Sequence, residues 1–98
     1  MGKKDLIRKG RSFDLRQLEC FCAVVRTGSF TRAAEELGMA QPSLSEQINK
    51  LEQALGAALL ERFSRRIELT APGATLLPRA RALIEEAAAL PQYLEAAR

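Results

Sequence analysis

At 98 residues, with 47% hydrophobic and 28% charged side chains, the chain can build one small domain with a modest core and is too short for two. No apolar run approaches the roughly 18 residues of a membrane span, and the basic N-terminus lacks the apolar stretch of a secretory signal, so a cytoplasmic protein without membrane contact is expected. The net charge of +3 sits in the leader: Lys3, Lys4, Arg8, Lys9 and Arg11 against Asp5 leave the rest near −1, so overall basicity says little about the folded part.

Residues 1–13 read as a basic, disordered leader, able to touch phosphate or simply solvated. Asp14 followed by Gln17 has the form of a capping box. Leu15, Leu18, Phe21, Cys22 and Val25 then recur at helical spacing, and Gly28 ends this first helix. Cys20 and Cys22 point about 200° apart on a helix and cannot bond to each other. With no His in the chain, a zinc site has no support, and the cysteines read as small packed residues.

Ser29 can cap a second, short helix reaching Leu37, with Phe30, Ala33, Ala34 and Leu37 inward. The paired alanines allow another helix to approach closely. Gly38 closes it, and a third helix starts at Gln41-Pro42, where proline is tolerated. Leu44, Ile48, Leu51 and Leu55 form its apolar seam, Ser43, Glu46, Gln47, Asn49 and Lys50 face outward, and Gly56 ends it.

From Ala57 to Leu69 the pattern becomes two short strands joined by a turn at Ser64-Arg65-Arg66. Thr70 can cap a fourth helix running to about Ala97. Within it Leu76, Ala80, Leu83, Ala87, Leu90 and Leu94 repeat at an average of 3.5 residues, the coiled-coil period. Leu77, Ile84 and Ala88 form a second stripe, so that one stripe can pack on the domain and the other on a partner chain. Pro78 should bend this helix or forfeit a hydrogen bond to Ala74; Pro91 should do the same or end it early.

Two helices around a tight glycine turn, the second with a polar face, make a helix-turn-helix. The string Ser29-Phe-Thr-Arg-Ala-Ala-Glu-Glu-Leu-Gly-Met-Ala-Gln-Pro-Ser-Leu-Ser45 resembles the core motif of LysR-type transcriptional regulators. So do Gln47-Ile48, Leu51-Glu52, Leu55-Gly56, Leu60-Glu61-Arg62 and Leu69-Thr70-Ala-Pro-Gly73, and the likeness covers about residues 14–90. The Pro-Ser-Leu-Ser-x-Gln-Ile and Leu-Leu-Glu-Arg-x-Ser-Arg pieces are similar to the peroxide-sensing branch. The resemblance implies a mainly α, winged helix-turn-helix fold, with a DNA-binding domain at 14–70 and a linker helix at 71–98 that pairs antiparallel with a partner's. It also implies a larger ligand-sensing domain, with no counterpart in these residues and hence no small-molecule ligand or cofactor here.

On this reading the partner is double-stranded DNA carrying an inverted-repeat operator. Gln41 can pair with adenine and Pro42 can meet a thymine methyl, while Ser43 and Ser45 bind phosphate or a base edge. Thr31 and Arg32 can clamp the backbone, Arg65 can reach a minor groove or phosphate, and Arg66 and Lys50 add charge. Glu46 stands where many LysR-type regulators carry Arg, and its carboxylate can accept from cytosine N4. Homodimerisation falls to the Leu76–Leu94 stripe. An alternative is a helical protein-pairing module with only non-specific DNA affinity. Catalysis has no support: there is no His, no Gly-rich phosphate loop and no nucleophile beside a base.

Overall fold

A computed structural model describes residues 12–98; apart from Ser12 and Phe13, the basic leader lies outside the described residues. Four helices and one hairpin follow in the expected order: α1 (Leu15–Thr27), α2 (Phe30–Leu37), α3 (Gln41–Leu55), β1 (Leu60–Arg62), β2 (Ile67–Leu69) and α4 (Ala71–Ala96). The architecture is a three-helix cluster with a two-stranded wing and a long trailing helix.

Local chemistry sets the boundaries. Asp14 accepts from the Gln17 N–H at 2.8 Å while Gln17 Oε1 accepts from the Asp14 N–H at 3.1 Å, so the capping box is closed. Ser29 caps α2 by accepting from the Arg32 N–H. Gly28, Gly38 and Gly56 all take left-handed φ near +70° at helix ends, where a side chain would be strained.

The core gathers around α1. Its buried residues are Gln17, Leu18, Cys20, Phe21, Ala23 and Val24, a wider face than the single stripe read from the sequence, and Leu15 is exposed. The reason is tertiary: α2, α3 and α4 all pack on α1, so only a narrow strip through Leu15, Arg16, Glu19 and Arg26 is left toward solvent. Ala33 and Ala34 are buried as expected, and Leu44, Ile48 and Leu51 are fully enclosed.

The hairpin is antiparallel, with Leu60 opposite Leu69 and Arg62 opposite Ile67. So short a ladder needs other anchors. Glu52 of α3 supplies one, its carboxylate accepting from the Leu59 N–H at 2.8 Å and the Leu60 N–H at 3.3 Å. Thr70 supplies another: its N–H donates to the Leu59 carbonyl, its hydroxyl donates to the Ala58 carbonyl, and the same oxygen accepts from the Gly73 N–H, starting α4.

The 26 residues of α4, about 39 Å at 1.5 Å per residue, run through both Pro78 and Pro91, so Pro91 does not end the helix. Each proline leaves the carbonyl four residues back, Ala74 or Ala87, without its usual donor. The partner stripe needs correction at its start. Ala80 is completely buried and Leu76 packs against the chain's own core, because the first half of α4 is the lid over α1. Leu77 and Ile84 also pack there, while Ala88 is exposed. Leu83, Leu90 and Leu94 stay 49%, 57% and 68% exposed.

Gly73 offers a direct check on how α4 is seated. A Cβ there would lie 2.1 Å from the Leu59 carbonyl oxygen, a backbone atom. Gly73→Ala is therefore expected to destabilise by about 1–3 kcal/mol through overpacking, although alanine is the better helix former by about 1 kcal/mol. Urea unfolding would show a midpoint at or above the parent's if α4 were not held this closely.

Candidate nucleic-acid interface

The outer surface of α3 has two edges. Gln41, Ser45 and Asn49 recur every four residues along the edge beside the wing, and Gln41 Nε2 donates to Ser45 Oγ at 3.2 Å. Ser43, Glu46 and Lys50 follow the other edge at helical spacing. There Lys50 and Glu46 form an exposed i, i+4 pair at 3.9 Å, so the two charges the sequence offers to DNA partly offset each other. Gln47, expected to face outward, instead accepts from Gln17 Nε2 at 3.1 Å, pinning α3 to the start of α1. Gln17 is the only buried polar residue among those described, and both ends of its amide are used, as burial demands.

Between α3 and the wing lies an open, polar groove of about 450 Å³, lined by Gly28, Ser29, Phe30, Gln41 and residues 62–67. The fold thus brings Gln41 from the head of α3 to the same crevice as Arg65 and Arg66 from the turn of the hairpin, 24 residues or more along the chain. Pro42 is exposed beside Gln41, and Thr31 and Arg32 are exposed on the first turn of α2. Arg65 is in no ion pair among the described residues.

Arg66, read from the sequence as added charge for DNA, is partnered within the hairpin. Its Nε donates to Glu68 at 2.6 Å and its guanidinium covers the Phe63 ring at 4.4 Å from the centroid. The cause is the strand alternation that places 66 and 68 on one side. Arg62, at the end of β1, escaped the sequence reading. It lies over the Phe30 ring at 4.2 Å and donates to Asn49 Oδ1 at 3.4 Å. Its signals in the sequence were its place in the Leu60-Glu61-Arg62 motif and two positions before the turn, neither of which says what its side chain meets.

Among the described residues no cluster of His, Cys, Asp or Glu could hold a metal. Both cysteines are free, and burial pushes both thiols above their ordinary pKa. On the far side of α1, Arg26 grips Glu36 with two hydrogen bonds, which hold that carboxyl below its usual pKa. This pair joins α1 to α2 and stands apart from the groove.

Residues 15–74 match the family described as bacterial regulatory helix-turn-helix protein, lysR family. The chain belongs to that family. Over 76 residues it is 46% identical to the HTH-type transcriptional regulator CfxR of Cupriavidus necator, covering 78% of this chain and 24% of that protein. The chain therefore spans about a quarter of the length of the curated relatives it matches. Among solved structures, the CbnR DNA-binding domain in complex with DNA superposes with a TM-score of 0.83 at 41% identity, covering 87% of this chain and 98% of that one. The oxidized form of OxyR from Corynebacterium glutamicum follows at a TM-score of 0.80 and 34% identity, covering 86% and 26%. The winged helix-turn-helix fold inferred from the sequence is thus the fold of this lysR-family chain.

The thiol environment yields a test. Cys20 is fully enclosed, and a raised pKa lowers the thiolate fraction at neutral pH. Cys20 should react with a thiol reagent at pH 7.5 only at the rate of unfolding, and Cys22, half-buried, faster but below a free cysteine. Equal and rapid labelling of both in the folded protein would contradict the packing described.

Proposed function

We propose that this lysR-family chain binds double-stranded DNA sequence-specifically as a homodimer and serves as the DNA-reading part of a transcription regulator in the cytoplasm. The observation that carries this reading is the shared crevice, which sets the exposed head of α3 beside an arginine-bearing wing. The crystallised CbnR domain, similar over nearly its whole length, is bound to DNA.

In this reading residues 14–70 form the DNA-binding unit and 71–98 the linker helix. The head of α3 enters a major groove, where each base pair presents a distinct donor and acceptor pattern. Gln41 donates and accepts toward a base and Pro42 packs on a thymine methyl. Ser45 shares the Gln41 edge, while Ser43 and Lys50 serve the flanking phosphates. Glu46 accepts from cytosine and disfavours bases that present only acceptors. Arg65 at the wing tip reaches a minor groove or phosphate, and Thr31 and Arg32 steady the backbone from α2.

The pairing surface is the outer half of α4. Leu83, Ala87 and Leu90 join Phe13, Leu15 and Leu18 around an apolar groove of about 370 Å³, and Leu94 extends the exposed row. A second copy covering these leucines gives a two-fold particle, and hence an inverted-repeat site with half-sites spaced by about one helical turn or a multiple.

Enrichment of bound duplexes from a randomised pool at moderate salt tests the whole reading. A two-fold motif is expected; no motif, with binding that vanishes as salt rises, would refute sequence-specific recognition. Gln41→Ala should then change the preferred sequence, whereas Arg65→Ala should weaken all sequences more evenly. The Leu83→Asp, Leu90→Asp double variant should sediment as a monomer; a dimer in the ultracentrifuge would rule out this seam.

A further inference from the structure

The crevice contains two cations that the reading above leaves without a task, Arg62 and Arg66. Arg62 is exposed, and its guanidinium is held on two sides, against the Phe30 ring at 4.2 Å and by Asn49 Oδ1 at 3.4 Å. Among the described residues no carboxylate pairs with it, whereas Arg66 is tied to Glu68. A guanidinium carries five N–H donors in one plane. Stacking on Phe30 occupies a face, and Asn49 takes one donor, so the other in-plane donors remain available to a ligand.

The surroundings favour an anion. Arg62 lines the groove together with Ser29 and Phe30, the cap and first residue of α2, where a helix start carries partial positive charge. Arg65 lines the same groove from the tip of the wing. Arg62 sits in the last pair of the hairpin before its turn, and its bond to Asn49 places it between the wing tip and α3. A phosphate backbone laid along this groove would meet that guanidinium, whose planar fork suits phosphate oxygens two at a time.

We propose that Arg62, pre-aimed by Phe30 and Asn49, clamps a DNA phosphate between α3 and the wing, the task that the sequence pattern alone would give to Arg66. This inference rests on the DNA-binding reading. Phe30 and Asn49 act on DNA only through the aim they give Arg62, and are positioning residues.

The test is the salt dependence of binding, measured with a random-sequence duplex and with a duplex from the enriched pool, for the parent, Arg62→Gln, Arg62→Lys and Arg66→Gln. Both positions changed are exposed, and circular dichroism with urea unfolding verifies that each variant is folded. Arg62→Gln should lower affinity for both duplexes alike, by about tenfold, and reduce the slope of log K against log salt by about 1. Arg62→Lys keeps the charge and should recover the parent slope while recovering only part of the affinity, because an ammonium neither stacks flat nor binds in two-pronged fashion. Arg66→Gln should leave the slope unchanged. An unaltered slope for Arg62→Gln in a parent that does bind with salt dependence would overturn the clamp alone, and so would an equal loss for Arg66→Gln. A parent that binds neither duplex would overturn the DNA-binding reading and the clamp together.

Discussion

The enclosure of α1 is the constraint on which the rest depends. Phe21, Val24 and Cys20 on this helix have no solvent exposure, and every other helix is placed by what it must cover there. The paired alanines of α2 let it approach closely, the Leu44–Ile48–Leu51 seam of α3 closes a second side, and Ala80 of α4 closes a third. A helix covered from three directions leaves its neighbours little freedom. That is why α3 can present one face to solvent at a fixed angle. Gln17 adds direction to this apolar packing, since its amide joins the cap of α1 to Gln47.

The wing depends on the same core at one remove. Three paired residues per strand are too few to be stable alone. Glu52 and Thr70 tie the chain entering and leaving the hairpin to α3 and to the start of α4. Gly73 lets α4 begin directly against Leu59. The outcome is a crevice whose two walls, the head of α3 and the hairpin, are both referred to one rigid centre. Preset geometry of this kind reduces the ordering cost on binding an extended ligand.

Much of the order of elements was legible in the chain itself. Most helix boundaries coincide with a residue whose local chemistry demands it, since the left-handed glycines and the Asp14, Ser29 and Thr70 caps act within a few residues of themselves; Ala40 before α3 and Ala97 after α4 carry no such signal. The apolar seam of α3 was equally legible, because a helix covered on one side writes that side into its sequence at helical spacing. The head of α3 with Gln41 and Pro42, and the turn with Arg65, could be named for the same reason: both lie beside clear boundaries.

What sequence determined, then, is whatever is decided within one or two helical turns: caps, stops, seams, the hairpin turn and the family likeness carried by contiguous motifs. Tertiary structure alone decided which apolar residues face which neighbour. Ala80 belongs to the core and Leu83 to the surface although both fit one 3.5-residue repeat, because only the docking of α4 on α1 distinguishes them. It also decided which charges are spoken for. Arg62 and Arg66 are the same residue type four positions apart, yet Glu68 occupies one while Phe30 and Asn49 hold the other toward the crevice. Periodicity records that a side is covered; it carries no record of what covers it, and charge pairing across elements leaves no period at all.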